Sequence, residues 1–151
     1  LAADAATRDR FAQRALEEPG LLLTGERVRA LLDGRVPADE LDARADQLLE
    51  VAVARRLAAG ETVVLGPPAL DAQERARWAQ LAAAHRRPRH LILLEVSADL
   101  VPDEVRPELN ALRRALDAGE LGAEGFHSAL RLGGAAAHEL RRILFRDRPR
   151  A

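Results

Sequence analysis

The chain has 151 residues, a length that suits one domain with a real core. Its 23 basic and 24 acidic residues nearly cancel, so no global field draws it toward nucleic acid or an anionic membrane. It has no cysteine, which removes disulfides, thiolate nucleophiles and cysteine metal sites together. No run approaches the roughly 18 apolar residues of a membrane span, and no charged-then-apolar leader opens the chain. A cytoplasmic protein without membrane contact is therefore expected. Every basic residue is arginine, so a Schiff base, a lysine general base and the lysine of a phosphate-binding loop are all excluded. A GC-rich coding sequence accounts for that bias. Methionine is absent too, even at position 1, so the sequence is expected to be a fragment truncated at its N-terminus, its first strand largely missing.

In chain order, residues 7 to 18 predict a helix with Phe11, Ala15 and Leu16 on one side, stopped by Pro19-Gly20. Leu21 to Leu23 is a short apolar run, read as a buried strand. Residues 26 to 33 form a second helix ended by Gly34, and Asp39 is expected to cap the next. Residues 40 to 59 place Leu41, Ala45, Leu49, Val53 and Leu57 at helical spacing, with Gly60 as the C-cap. Then comes a strand-helix-strand unit: Thr62 to Leu65, a Gly66-Pro67-Pro68 turn, a helix from about Asp71 to Arg86, and His90 to Val96. Such buried apolar strands belong to parallel sheets covered on both faces. Gly66 to Leu70 stands at the carboxyl end of the first strand, the edge where open α/β sheets bind ligands. Pro102 starts a helix over about 103 to 118, ended by Gly119; 119 to 125 is a glycine-rich turn. Phe126 to Leu132 alternates like a strand, Gly133-Gly134 breaks it, and 135 to 146 is a last helix with Leu140, Ile143 and Leu144 inward. The order gives a four-stranded, mainly parallel α/β domain.

Several pieces resemble a known family in their order and spacing. FAQRAL, LLLTGERVRALL, ARRLAAGETVVL, ALDAQERARWAQLAAAHRRPRHLILLEV, VPDEVRPELNALRRAL and EGFHSALRL, from Phe11 to Leu132, are similar to the kinase domain of bacterial polynucleotide kinases and zeta-toxin-like relatives. The resemblance implies a P-loop NTPase-like three-layer α/β/α sandwich, its mainly parallel sheet of about four to five strands. It also implies one kinase-like domain over 1–151 with a basic tail at 146–151. The family's phosphate loop cradles phosphates with glycine amides and a lysine and holds magnesium through a Ser/Thr hydroxyl. Aligned from Phe11, that loop falls on Ala2 to Asp9: Thr7 replaces the second glycine, Arg8 the lysine and Asp9 the hydroxyl. The general base and phosphate-holding arginine of the family's substrate motif fall on Glu26 and Arg29. Without the resemblance, that pair reads as an ion pair in the first turn of a helix. The acid and polar groups expected after the second strand are replaced by Leu65-Gly66-Pro67-Pro68. The arginine-bearing lid is reduced to Ser97 to Val101. Arg106, Arg113 and Arg114 are either its stand-ins or a solvated helix face.

Other constellations carry less. His85, His90, His127 and His138 show no metal-binding spacing, so no metal is expected. Ser97 and Ser128 are the only serines. Adjacent strand positions send His127 and Ser128 to opposite faces, which excludes them as a catalytic pair. Arg141, Arg142, Arg146, Arg148 and Arg150 form one basic cluster, read as a soluble terminus or as a phosphate-backbone contact. Gly133-Gly134 is a strand-to-helix corner or an anion-binding turn. The reading that follows is a degenerate P-loop kinase-like domain without phosphotransfer. It needs no cofactor and serves as a binding or regulatory module for an unknown protein or nucleic-acid partner, with self-association possible through bare apolar surface. The alternative is a divergent ATP- and magnesium-dependent 5′-hydroxyl kinase with Arg8 in place of the lysine and Glu26 as base.

Overall fold

A computed structural model describes residues 1–16, 18–67, 69–133 and 143. The expected turn residue Pro68, Gly134, His138, the last helix apart from Ile143 and the basic tail lie outside the described residues. Among those described, five helices and four strands alternate: α1 (Ala5–Ala15), β1 (Leu22–Thr24), α2 (Gly25–Leu32), α3 (Leu41–Ala58), β2 (Val64–Gly66), α4 (Ala72–Ala84), β3 (His90–Leu94), α5 (Arg106–Asp117) and β4 (Ser128–Leu132). All strand pairs are parallel, as read from their unbroken apolar runs. β2, β3 and β4 are shorter than expected, and β1 and β2 sit one or two residues later than their apolar runs suggested.

Among the described residues the ladders form two two-stranded halves, not the one continuous sheet of about four to five strands that was expected. Leu22, Leu23 and Thr24 pair with Val64, Leu65 and Gly66, and His90 to Leu94 pair with Ser128 to Leu132. The strand-helix-strand unit is present as β2-α4-β3, but its two strands are not ladder neighbours. Leu1 and Ala2 run alongside β3: the Leu94 N–H donates to the Leu1 carbonyl at 2.7 Å, and the Leu1 nitrogen donates to the Ile92 carbonyl at 2.6 Å.

Side-chain alternation along the strands shows which helix covers each face. Ile92, Leu94 and Leu132 pack with Phe11 and Ala15 of α1, while Leu22 and Val64 pack with Ala12 of the same helix and with Leu16, its C-cap. One helix therefore spans both halves. On the opposite face Leu91 and Leu93 meet Leu109 and Leu112 of α5, and Leu23 and Leu65 meet Leu49, Val53 and Leu57 of α3 together with Trp78 of α4. The result is helix, sheet, helix. Ile143 also joins the α1 layer, its N–H donating to the Ala15 carbonyl at 2.8 Å.

Three helix starts carry a side-chain cap; those of α3, at Glu40, and α5, at Val105, do not. Asp4, Thr24 and Asp71 each accept from the backbone N–H three residues on. Asp39 does not cap α3. Its N-cap is Glu40, in helical geometry and without a side-chain bond, because a turn closed from Pro37 to Glu40 feeds directly into the helix.

Two helix ends share one motif. After α3, Gly60 takes φ 75°; its N–H reaches the Leu57 carbonyl, and the N–H of Glu61 reaches that of Arg56. After α4 the same two bonds run from Arg86 to Ala83 and from Arg87 to Ala82, but the left-handed residue is Arg86, at φ 56°. A Cβ there costs roughly 1 kcal/mol. Arg86→Gly is accordingly expected to stabilise the fold by about 1 kcal/mol, read as a higher denaturation midpoint with an unchanged slope.

Candidate functional site at the carboxyl ends of the strands

α1 begins at Ala5, inside the stretch Ala2 to Asp9 expected to form the phosphate loop, so Thr7, Arg8 and Asp9 stand in its first turns and not in a loop. At that helix start, four backbone N–H groups seek acceptors. Here the chain supplies one itself: Oδ2 of Asp4 accepts from the Thr7 N–H at 3.0 Å and from the Thr7 hydroxyl at 2.5 Å. Those bonds hold the Asp4 carboxyl below its usual range, the Thr7 hydroxyl being the largest influence.

Arg8 is buried, at 7% exposure, and runs across the end of β2. Gly66 makes this passage possible, since a Cβ there would lie 2.7 Å from Arg8 Nε. Beyond it, Arg8 Nε donates to Asp9 Oδ1 at 3.1 Å and its Nη2 to Glu26 Oε2 at 3.2 Å. Glu26 is in the first turn of α2, which Thr24 starts by accepting from the Arg27 N–H. The structure thus gathers Thr7, Arg8, Asp9 and Glu26 at the carboxyl edge, beside the glycine that ends β2.

The other expected residues lie apart from this group. Glu26 and Arg29 do not form the intrahelical ion pair that their spacing allows: Glu26 turns to Arg8, and Arg29 bonds Asp42 of α3 at 2.6 Å. Both still line a shallow cleft of about 290 Å³ with Ala30, Asp33 and Leu41. Arg106 bonds Asp103 and donates to the carbonyls of Ala98 and Val101, tying down the short connection after β3. Arg113 is at the carboxyl end of β3, where its Nη2 donates to Glu95 at 2.5 Å. Arg131 of β4 bonds the same carboxylate at 2.8 Å. Arg113 first, then Arg131, hold the Glu95 carboxyl below its ordinary value of 4.5.

A larger cleft of about 530 Å³, lined by Glu50, Gln73, Ala76, Arg77, Gln80 and Leu81, lies between α3 and α4, away from this edge. Its Arg77 is held by Asp46 in a two-bond pair and stacks on Trp78 at 4.4 Å. At the opposite, amino-terminal edge, Ser128 bonds His90 at 2.7 Å, and His127 accepts from the Arg89 N–H. The exclusion of a His127-Ser128 pair stands, yet Ser128 has a histidine partner across the ladder that adjacency in sequence could not reveal. Among the described residues, no three His, Asp or Glu side chains converge as a metal requires, and no helix is long and apolar enough to cross a membrane.

A family model described as AAA domain matches residues 4–111. The chain belongs to the AAA domain family. That match covers more than half of the chain, from the Asp4 cap to α5, and makes the fold P-loop NTPase-like. No curated protein matches the sequence. The AAA domain family comprises kinase-like P-loop modules that generally hold ATP and magnesium. The residues of this AAA domain fit that pair poorly. A carboxylate already caps the helix start, the resemblance puts Asp9 where a hydroxyl would hold magnesium, and the buried cation Arg8 is ion-paired twice.

Asp4, Glu95 and Asp42 were not among the expected site residues. Asp4 was legible as a cap three residues before Thr7, had the helix been started two residues earlier. Glu95 and Asp42 gave no local signal, because their partners lie 18 and 13 positions away.

Two expectations follow. Gly66→Ala should drive Arg8 from its place and cost about 1–3 kcal/mol, as overpacking of a filled site does. In an Arg8→Ala background the same change should cost much less, a coupling that denaturation of the double mutant measures. The lowered carboxyls of Asp4 and Glu95 contribute stability that is present above their unfolded pKa values and lost as pH falls through the folded ones. Thermal melts from neutral pH downward should therefore show a loss of stability below the ordinary carboxylate range, and Glu95→Gln should flatten it.

Proposed function

We propose that this AAA domain is a polynucleotide-kinase-like module that no longer transfers phosphate and acts by binding a partner, protein or nucleic acid. One observation carries the reading: Arg8, at the position of the catalytic lysine, is buried against Gly66 and neutralised by Asp9 and Glu26. In a working site such a cation meets phosphate, and the carboxylate meets a hydroxyl. Here the two meet each other. Arg29, the other phosphate-side candidate, is likewise paired with Asp42.

A second reading, a divergent ATP-dependent 5′-hydroxyl kinase, draws support from the same contact, because cation and carboxylate converge at the ligand-binding edge, 3.2 Å apart. Isothermal titration with ATP and magnesium separates the two. The proposal expects no detectable binding at millimolar nucleotide. A dissociation constant below about 100 μM would sink it. So would turnover of a 5′-hydroxyl oligonucleotide that disappears in Glu26→Ala.

A further inference from the structure

Arg8 and Glu26 differ sharply in exposure: the arginine side chain is 8% exposed, the glutamate 56%. The carboxylate therefore forms the outer layer over a guanidinium that is itself below the surface. Asp9, at 39%, flanks it. The arginine lies over Gly66, its Nε, Cδ and Cζ filling the space that a Cβ at that position would occupy. Glu26, in contrast, sits in the first turn of α2 and borders the open cleft toward Arg29, three residues along the same helix.

From this geometry we infer that Glu26 is an internal gate on Arg8: it supplies the anion that the buried guanidinium requires, and a phosphate-type oxyanion binds Arg8 only when that carboxylate is removed or drawn aside. The inference rests on the reading that the chain's own carboxylates neutralise the site, and it adds which carboxylate controls access. Three physical arguments carry it. Asp9 meets the guanidinium at Nε and Glu26 at Nη2, so loss of Glu26 leaves Nη2 without its acceptor, a demand that an external oxyanion can meet. Arginine's planar fork suits two oxygens of one phosphate as well as it suits the oxygens of a carboxylate. Glu26 can turn to Arg29 at i+3, the spacing that lets helix side chains pair, so its displacement does not strand its own charge.

The test titrates metal-free inorganic pyrophosphate into the wild-type chain, Glu26→Gln and Glu26→Ala, by calorimetry. Circular dichroism checks that each remains folded. Because Glu26 is exposed, its truncation leaves no cavity. The wild type is expected to bind with a dissociation constant of about 1 mM or weaker, and Glu26→Ala at least about tenfold tighter, with Glu26→Gln between them. Adding Arg8→Met to Glu26→Ala should abolish the gain; Arg8→Gln serves if the methionine variant does not fold. Equal, weak binding by wild type and Glu26→Ala overturns the gate while leaving the proposed function standing. A gain that survives loss of Arg8 overturns it as well, because the anion then binds elsewhere. Tight binding by the wild type overturns both.

Discussion

The site depends on the passage of Arg8 across Gly66. A glycine at the end of β2 lets a side chain from the first helix lie flat on the sheet edge, and the guanidinium carried there must then find negative charge. Asp9 and Glu26 provide it. This one side chain therefore touches α1, the end of β2 and the start of α2, and it sets the electrostatic character of the edge where α/β sheets hold their ligands. Removing one partner from such a contact is more costly than never having built it, because the remaining charge is left without an equal.

The same solution recurs along the edge and beyond it. Arg29 is matched to Asp42, Arg106 to Asp103, and Arg113 and Arg131 together to Glu95. A chain whose basic residues are all arginine is suited to this, since a guanidinium offers several donors in a fixed plane and two can share one carboxylate. Glu95 shows the structural side of that habit. It follows β3 directly and draws in α5 and β4, so the second half of the sheet is fastened at its carboxyl end by charge while its interior is closed by Leu91, Leu93, Leu109 and Leu112. Exposed pairs such as Arg106-Asp103 add little to stability; the partly buried ones define where the loops lie.

Much of the fold was legible because the periodicities are clean. Leu41, Ala45, Leu49, Val53 and Leu57 mark one face of α3, and the apolar runs before Gly66 and after Arg89 could only be covered strands. Two features were not legible. One is the division of the strands into two parallel pairs bridged by α1, with Leu1 and Ala2 lying beside β3 in a pairing across more than ninety positions. The other is the mutual neutralisation at the site: the resemblance drew Thr7, Arg8, Asp9 and Glu26 together, and Arg8 does meet Asp9 and Glu26, but that pairing was not foreseen. Spacing alone favoured Glu26 with Arg29, three apart on a helix. A buried guanidinium outcompeted that exposed partner, since charge pairing strengthens as water is excluded.

The trio of carboxylates around the start of α1 also bears on how this sequence can change over generations. Arg8→Lys alone would leave Asp4 on the helix amides and Asp9 and Glu26 around a cation without the guanidinium's planar fork. Changing the carboxylates first would strand a buried arginine. The side chains around the start of α1 are therefore coupled: which substitution one position tolerates depends on what already stands at the others.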